Sequence, residues 1–198
     1  MASPAQRRDA ALLNAELRNF TRLSDVLQPA KVLELANAFL SLAATAISAN
    51  HGSVLSVQND TLVAAFTAAN RQEFCERALK AAQDIQREFG PMADEWKSSY
   101  GLPAAVSSAL HVGEAVFGMA GPAGAQQSVA FGDCVSIVDR LVHRARNGEI
   151  VFSADFMKSL SEATVKALAA EAMPAIELPR RSPIRFYGLP LEKRLDFT

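Results

Sequence analysis

Three polar side chains of this sequence lie where their chemistry could be used. Asp60 lies in a polar turn between two β-forming runs, which predicts a hairpin that presents its carboxylate at a strand edge. Ser136 and Arg140 are four residues apart in a helical segment and so share a helix face. Carboxylates bind hard cations and guanidinium groups meet negative charge. Both features also have structural interpretations: Asp60 as an ordinary turn residue, and Arg140 as the partner of Asp139 or Asp133 in a surface ion pair.

Helices and strands that would position these residues can be predicted from apolar periodicity. A strand is expected at Ala10 to Leu17, and a helix from about Pro29 to Asn50 that ends at His51-Gly52, with Gly52 left-handed. A second helix is expected from Arg71 to Phe89, ended by Gly90-Pro91, with Trp96 in a polar connection after it.

Later segments complete the order β-α-β-β-α-β, with additions at the end. The predicted first hairpin pairs Ser53–Gln58 with Leu62–Phe66, and a second hairpin has a projecting arm. This order predicts an α+β fold with a ferredoxin-like βαββαβ core. The remaining predicted elements are strands at Ala104–Val112 and Ala115–Met119 hinged at Gly113-Glu114, a loop at Gly121–Gln127, a helix at Asp133–Arg146, a strand at Glu149–Phe152, a helix near Ala154–Ala169, and strands at Ala175–Leu178 and Ile184–Tyr187.

Composition limits the class of protein. The chain has 198 residues, 49% of them hydrophobic, which is enough for one core, so a single domain over residues 1–198 is expected. Lysine and arginine number 20 against 21 aspartate and glutamate, which argues against nucleic acid or an anionic membrane as the main partner. Cys75 and Cys134 lie far apart and are expected to be reduced thiols of a cytoplasmic protein. Polar residues recur along the apolar run Val32–Ala49, which predicts an amphipathic helix rather than a membrane span.

Six motifs in order carry a family resemblance. The segment His111–Gly121 is similar to an HxGxxxxGxxG hairpin, and Gly132–Leu141 is similar to a GDxVNxAxRL helix. The chain resembles the class III adenylate and guanylate cyclase catalytic domain in these motifs, from about residue 12 to 189. The other matches are Asn14–Thr21 to FADIRGFT, Gln58–Phe66 to IGDGxMAVF, Asn147–Val151 to PGEIxVS, and Arg181–Tyr187 to RSEPIxVY with one residue deleted.

The resemblance implies a metal site made by two carboxylates. In the family, two divalent ions, Mg²⁺ or Mn²⁺, assist attack of the ribose 3′ oxygen on the α-phosphorus of a nucleoside triphosphate. The family's two aspartates match Glu16 and Asp60 here. The extra methylene of Glu16 moves its oxygens by about 1.5 Å, although Glu16 could also be a solvent-facing residue at a strand end.

The resemblance also assigns residues to the ribose, the phosphates and the base. The family's transition-state Asn and Arg match Ser136 and Arg140, where serine lacks the amide that orients the ribose. Arg181 matches a phosphate-facing cation, with Arg180 and Arg185 as competitors. The base-reading positions match Ser56 and Val129, and both could simply be strand residues, since valine has no polar atom to read a base.

Three functions remain open on these residues. The preferred hypothesis is a weak or inactive pseudo-cyclase that acts as a dimerising signalling module. The alternatives are an active adenylate or guanylate cyclase and a triphosphate-binding sensor without turnover. In each case the resemblance implies a head-to-tail homodimer, or a heterodimer with another cyclase domain, and a nucleoside triphosphate as the ligand. His111, His51 and His143 are expected to be structural residues.

Overall fold

The computed structural model describes residues 5–122, 124–178 and 181–189, without the side chain of Arg181. The described residues form ten strands and six helices. The strands are β1 Gln6–Arg18, β2 Ser53–Gln58, β3 Thr61–Phe66, β4 Ala105–Ala120, β5 Gln127–Phe131, β6 Ile150–Ser153, β7 Glu171–Ala172, β8 Ile176–Leu178, β9 Arg181–Ile184 and β10 Phe186–Gly188. The helices are α1 Phe20–Val26, α2 Pro29–Ala49, α3 Arg71–Tyr100, α4 Asp133–Val142, α5 Ala154–Lys158 and α6 Glu162–Leu168.

The main sheet has the order β2-β3-β1-β4-β6-β10-β7, and β5 pairs with the far half of β4. Its first four strands, with the helices α2 and α3, form the predicted ferredoxin-like βαββαβ core. The strand β1 is central, because it pairs antiparallel with β3 on one side and with β4 on the other. The prediction of an α+β fold with this core is confirmed.

The sheet is covered on both faces, and β1 shows why. Alternate residues of a strand point to opposite faces. Leu13 accordingly packs with α2 and α3 in one buried cluster, whereas Leu12 packs with Val138 and Leu141 of α4 in a second cluster. By length and composition alone α2 could cross a membrane, but its buried residue Phe39 contacts Phe89 of α3 edge to face, so α2 is a core helix.

Two predictions about the second helix, α3, are wrong for the same physical reason. The helix α3 runs through Gly90-Pro91 to Tyr100, because the turns after Pro91 also pack on the core, where the buried Trp96 meets the Phe89 ring at 5.4 Å. Trp96 is therefore a helix residue and does not lie in a polar connection. In both cases tertiary packing outweighs a local breaker signal.

Two other glycines are required by close packing around them and not by a turn or hinge of the backbone. His51, with φ of 59°, takes the left-handed conformation that was expected of Gly52. A Cβ on Gly52 would lie 2.4 Å from the Phe66 ring, so glycine lets the helix end approach the sheet. Likewise β4 is continuous through Gly113, where a Cβ would lie 3.0 Å from the Cβ of Cys134.

The remaining differences concern element ends. The helix α4 stops at Val142 rather than at residue 146. The late helix is two short helices, whose N-caps are the hydroxyls of Ser153 and Ser161. The strand β9, from Arg181 to Ile184, pairs with β8 in a separate two-stranded sheet.

Candidate functional site

A row of polar side chains crosses the sheet on the face that α4 covers. Glu16 of β1 lies directly opposite Thr61 of β3 and Ser107 of β4. Residues directly opposite in an antiparallel pair share a face. The structure therefore places Glu16 at the centre of this row, half-buried, near the end of β1.

The first hairpin brings Asp60 next to Glu16. The turn between β2 and β3 has two residues, and Asn59 takes φ of 48°, as such tight turns require. The backbone N–H of Leu17 donates to the carbonyl oxygen of Asp60 at 2.8 Å. The Thr61 hydroxyl lies 3.4 Å from Asp60 Oδ1. The two carboxylates that the resemblance assigns to the metal site are thus neighbours.

Glu16 is already paired within the chain. Its Oε1 lies 2.7 Å from Nη1 of Arg18, and the two side chains are only 17% and 15% exposed. The rest of the guanidinium is also occupied: Nε donates to the Ser107 hydroxyl at 2.8 Å, and Nη2 donates to the carbonyls of Val142 and Ala145. Arg18 therefore connects Glu16 to the end of α4.

Burial dominates the charge state of Glu16. It raises the pKa of this carboxyl, and the nearby charges of Asp60 and Asp139 raise it further. Arg18 and His143 act in the opposite direction without reversing the shift. A short ion pair alone would lower the pKa, so the net rise shows that desolvation of the carboxylate outweighs its pairing. His143 lies there because its Nδ1 is 2.6 Å from the Asp139 carbonyl.

The carboxylates as they lie here do not fit a divalent metal. Such ions need several free oxygen ligands. Glu16 gives its Oε1 to Arg18, so the pair of carboxylates offers fewer free oxygens beside a nearby positive charge. Asp60 is the one predicted ligand whose carboxylate has no cation partner among the described residues.

Ser136 and Arg140 lie together on the exposed face of α4. Cys134, Val138 and Leu141 form the opposite, buried face. Arg140 has no ion pair with any described residue, so the surface ion pair considered from sequence is absent there. The charges that act on Glu16 do not include Arg140. Within one chain, both side chains of this pair are exposed to solvent.

The base-reading positions lie apart from each other. Val129 is half-buried and lines a cavity of about 410 Å³ between β1, β2, β4 and β5. Ser56 is exposed and does not line this cavity; an irregularity at Leu55 places it opposite Val63. The other lining residues are the apolar Leu55, Ala65, Phe117, Gly118 and Met119 and the polar Gln6, Arg8, Ser53, Thr67 and Ser128.

The position that the resemblance matches to a phosphate-facing cation is Arg181. The backbone of Arg181 pairs with Leu178 in the small sheet, but its side chain lies outside the described residues, as does Arg180. His111 is a buried structural residue, as expected, with Nδ1 2.7 Å from the Ser153 hydroxyl.

Two adenylate cyclases are similar to this chain in sequence. No family model matches the chain. It is 24% identical over 139 residues to adenylate cyclase 1 of Rhizobium meliloti (strain 1021) and 26% identical over 141 residues to the adenylate cyclase of Anabaena cylindrica. Each match covers 69% of this chain but only 21% and 27% of the relatives, so the chain spans about a fifth to a quarter of their length.

Solved structures match over nearly the whole chain. The adenylyl cyclase CyaB from P. aeruginosa has a TM-score of 0.86 at 17% identity, covering 97% of this chain and 98% of that one. The guanylyl cyclase Cya2 has a TM-score of 0.83 at 18% identity, with 99% and 100% covered. A dimeric guanylyl cyclase domain from Blastocladiella emersonii has a TM-score of 0.76 at 14% identity, covering 94% and 98%. This chain has the class III cyclase catalytic domain fold.

Sequence reasoning did not connect Arg18, Asp139 and His143 with Glu16. Arg18 could have been found, because a residue two positions after Glu16 on a strand lies on the same face. Asp139 and His143 act on Glu16 only because α4 packs across the sheet from more than a hundred residues away in sequence.

Proposed function

We propose that this chain is a class III cyclase homology domain with little or no cyclase activity, and that it acts as a dimerising signalling module. The observation that carries the proposal is the environment of Val129. By the resemblance it matches a base-reading position, and in the structure it lines a cavity with Leu55, Phe117 and Met119 and with polar residues such as Ser53 and Ser128. A base edge needs hydrogen-bond donors and acceptors, and Val129 offers neither.

Ser136 supports the same conclusion. Its exposed hydroxyl cannot reproduce the two-ended amide of the family's asparagine. Loss of one hydrogen bond made in a transition state typically costs about a hundredfold to a thousandfold in rate. Defects in base reading and ribose orientation together are expected to reduce turnover to background.

Dimerisation rests on exposed apolar side chains around the second hairpin. Phe131 is 65% exposed and Met119 is 41% exposed, and both lie on the β4–β5 hairpin. Closed two-fold pairing is the commonest way to cover such a surface. A head-to-tail pair would also bring the exposed face of α4 from one chain to the carboxylates of the other.

A direct assay tests this proposal. The purified chain is incubated with ATP or GTP and Mn²⁺, and cyclic AMP and cyclic GMP are quantified beside an active class III domain. We expect no product above background, and the same background from Arg140→Ala. Product formation that Arg140→Ala abolishes would refute the pseudo-cyclase proposal in favour of an active cyclase. Light scattering at high micromolar concentration should give a dimer mass, and a monomer there contradicts the dimerising role.

A triphosphate sensor is the second candidate, favoured by the exposed guanidinium of Arg140, which has no ion pair with any described residue. If phosphate contacts supply the affinity, then ATP, GTP and CTP should bind similarly in Mn²⁺, because Ser56 and Val129 give little base discrimination. Calorimetry should then show that Asp60→Ala or Arg140→Ala weakens all three equally. A scaffold without this role binds none of them.

A further inference from the structure

Arg18 is held by four acceptors from three parts of the chain. They are Glu16 on its own strand, the Ser107 hydroxyl on β4, and the carbonyls of Val142 and Ala145 at and after the end of α4. The Ser107 hydroxyl in turn donates to the Arg146 carbonyl at 2.8 Å. A guanidinium presents its donors in a rigid planar fork, so this arrangement fixes its position.

The end of α4 favours a cation at this point. The last carbonyls of a helix have no partners inside the helix and carry partial negative charge. Arg18 satisfies the carbonyl of Val142, the last residue of α4, and that of Ala145 in the following turn. With its side chain 15% exposed, the cation is also largely protected from screening by salt.

We infer that Arg18 is the resident counter-cation of Glu16 and excludes a divalent metal from the carboxylate pair in this chain. This inference rests on the proposed function and gives it a structural cause. A metal at Glu16 would share the carboxylate whose Oε1 lies 2.7 Å from Nη1 of Arg18 and would therefore lie beside the guanidinium charge. Asp60 alone would have to compensate for that repulsion.

The substituted position is the carboxylate, not the arginine. Arg18 matches the arginine of FADIRGFT, whereas Glu16 replaces the aspartate. A glutamate reaches about 1.5 Å further along its side chain than an aspartate. The longer side chain allows Glu16 to contact the guanidinium that is anchored at α4.

Metal binding in the absence of nucleotide tests the inference directly. Free Mn²⁺ is measured by electron paramagnetic resonance during titration of the full chain. We expect no binding by the native protein below about 1 mM. Arg18→Met, which keeps length but not charge, should gain at least about tenfold in Mn²⁺ affinity. Arg18→Lys is the matched control that keeps a cation and should remain like the native protein.

The double variant Arg18→Met with Glu16→Gln should lose the gain, since the freed carboxylate is its cause. Micromolar Mn²⁺ binding by the native protein, or a folded Arg18→Met with unchanged affinity, would overturn the inference. If Arg18→Met does not fold, Glu16→Asp decides, because it retracts the carboxylate while Arg18 keeps its three other acceptors. That variant should gain about tenfold, and no gain overturns the inference. Cyclase activity of the native chain would refute the proposed function, whereas the inference about Arg18 is decided by the Mn²⁺ affinities measured without nucleotide.

Discussion

The buried histidine of β4 makes a quantitative prediction about stability and pH. His111 is 6% exposed, and its Nδ1 lies 2.7 Å from the Ser153 hydroxyl. That hydroxyl oxygen already accepts a hydrogen bond from the Phe156 N–H, so its proton is available for His111. The pKa of His111 is lowered from 6.5 to about 4, chiefly by burial, while Asp155 opposes the shift and Arg71 adds to it. The native state therefore holds a neutral imidazole.

The sign follows from proton uptake by the two states. Between pH 6.5 and about pH 4 the imidazole of His111 is protonated in the unfolded chain but neutral in the native state. The contribution of His111 to the free energy of unfolding is therefore complete above pH 6.5 and is lost as the pH falls towards 4. The full difference corresponds to about 3 kcal/mol, of which about 2 kcal/mol is lost between pH 7.5 and pH 5.

Urea denaturation of native protein and His111→Asn at the two pH values isolates this effect. Asparagine can place an amide near Nδ1 and keep the bond to Ser153, but it does not titrate. Other titrating groups cancel in the comparison. We expect the native protein to lose about 2 kcal/mol more than the variant between pH 7.5 and pH 5. Parallel profiles, within about 0.5 kcal/mol, would show that His111 is not buried in its neutral form.

Two further predictions concern glycines and cysteines that differ in how closely they are packed. Gly52→Ala should destabilise the protein by about 1–3 kcal/mol in urea, because its Cβ would lie 2.4 Å from Phe66. Gly90→Ala, a helical glycine with nothing within 4 Å of the added atom, should instead stabilise it by about 0.5–1 kcal/mol, and equal effects would contradict the packing argument. Cys75 and Cys134 should not react with Ellman's reagent until the protein is unfolded, since both are buried and burial raises the pKa of Cys75 to about 12. Rapid labelling of the native state would contradict this.

Local patterns predicted the parts of the fold that depend on neighbours in sequence. The hairpin around Asp60 needed only two β-forming runs and a two-residue turn, and the helix α2 needed only its period and its start at Pro29. The strand expected at Ala10 to Leu17 is likewise present, within the longer β1. These predictions are confirmed because local and tertiary preferences agree there.

Predictions failed where distant residues decide. Gly113 looked like a hinge, but the residue that requires a glycine there is Cys134 of α4, 21 positions later. The helix α3 continues past Pro91 because the buried Trp96 belongs to the same core cluster as Phe39 of α2, some fifty residues earlier. The other partners of Arg18 lie 89 to 127 residues away, so no local pattern could show that its guanidinium is anchored at Ser107 and at the end of α4.

The proposed head-to-tail pair determines how these substitutions combine. In a homodimer each of two identical sites would take Glu16 and Asp60 from one chain and Ser136 and Arg140 from the other, so every defect occurs in both sites. In a heterodimer with an intact cyclase domain, the defects separate: one mixed site contains the paired Glu16, and the other contains Ser136 and Val129. The first site requires displacement of Arg18, whereas in the second Val129 has no polar side-chain atom and Ser136 lacks the amide of an asparagine. A partner could therefore restore chemistry more readily at the site to which this chain contributes its carboxylates, provided that Arg18 releases Glu16.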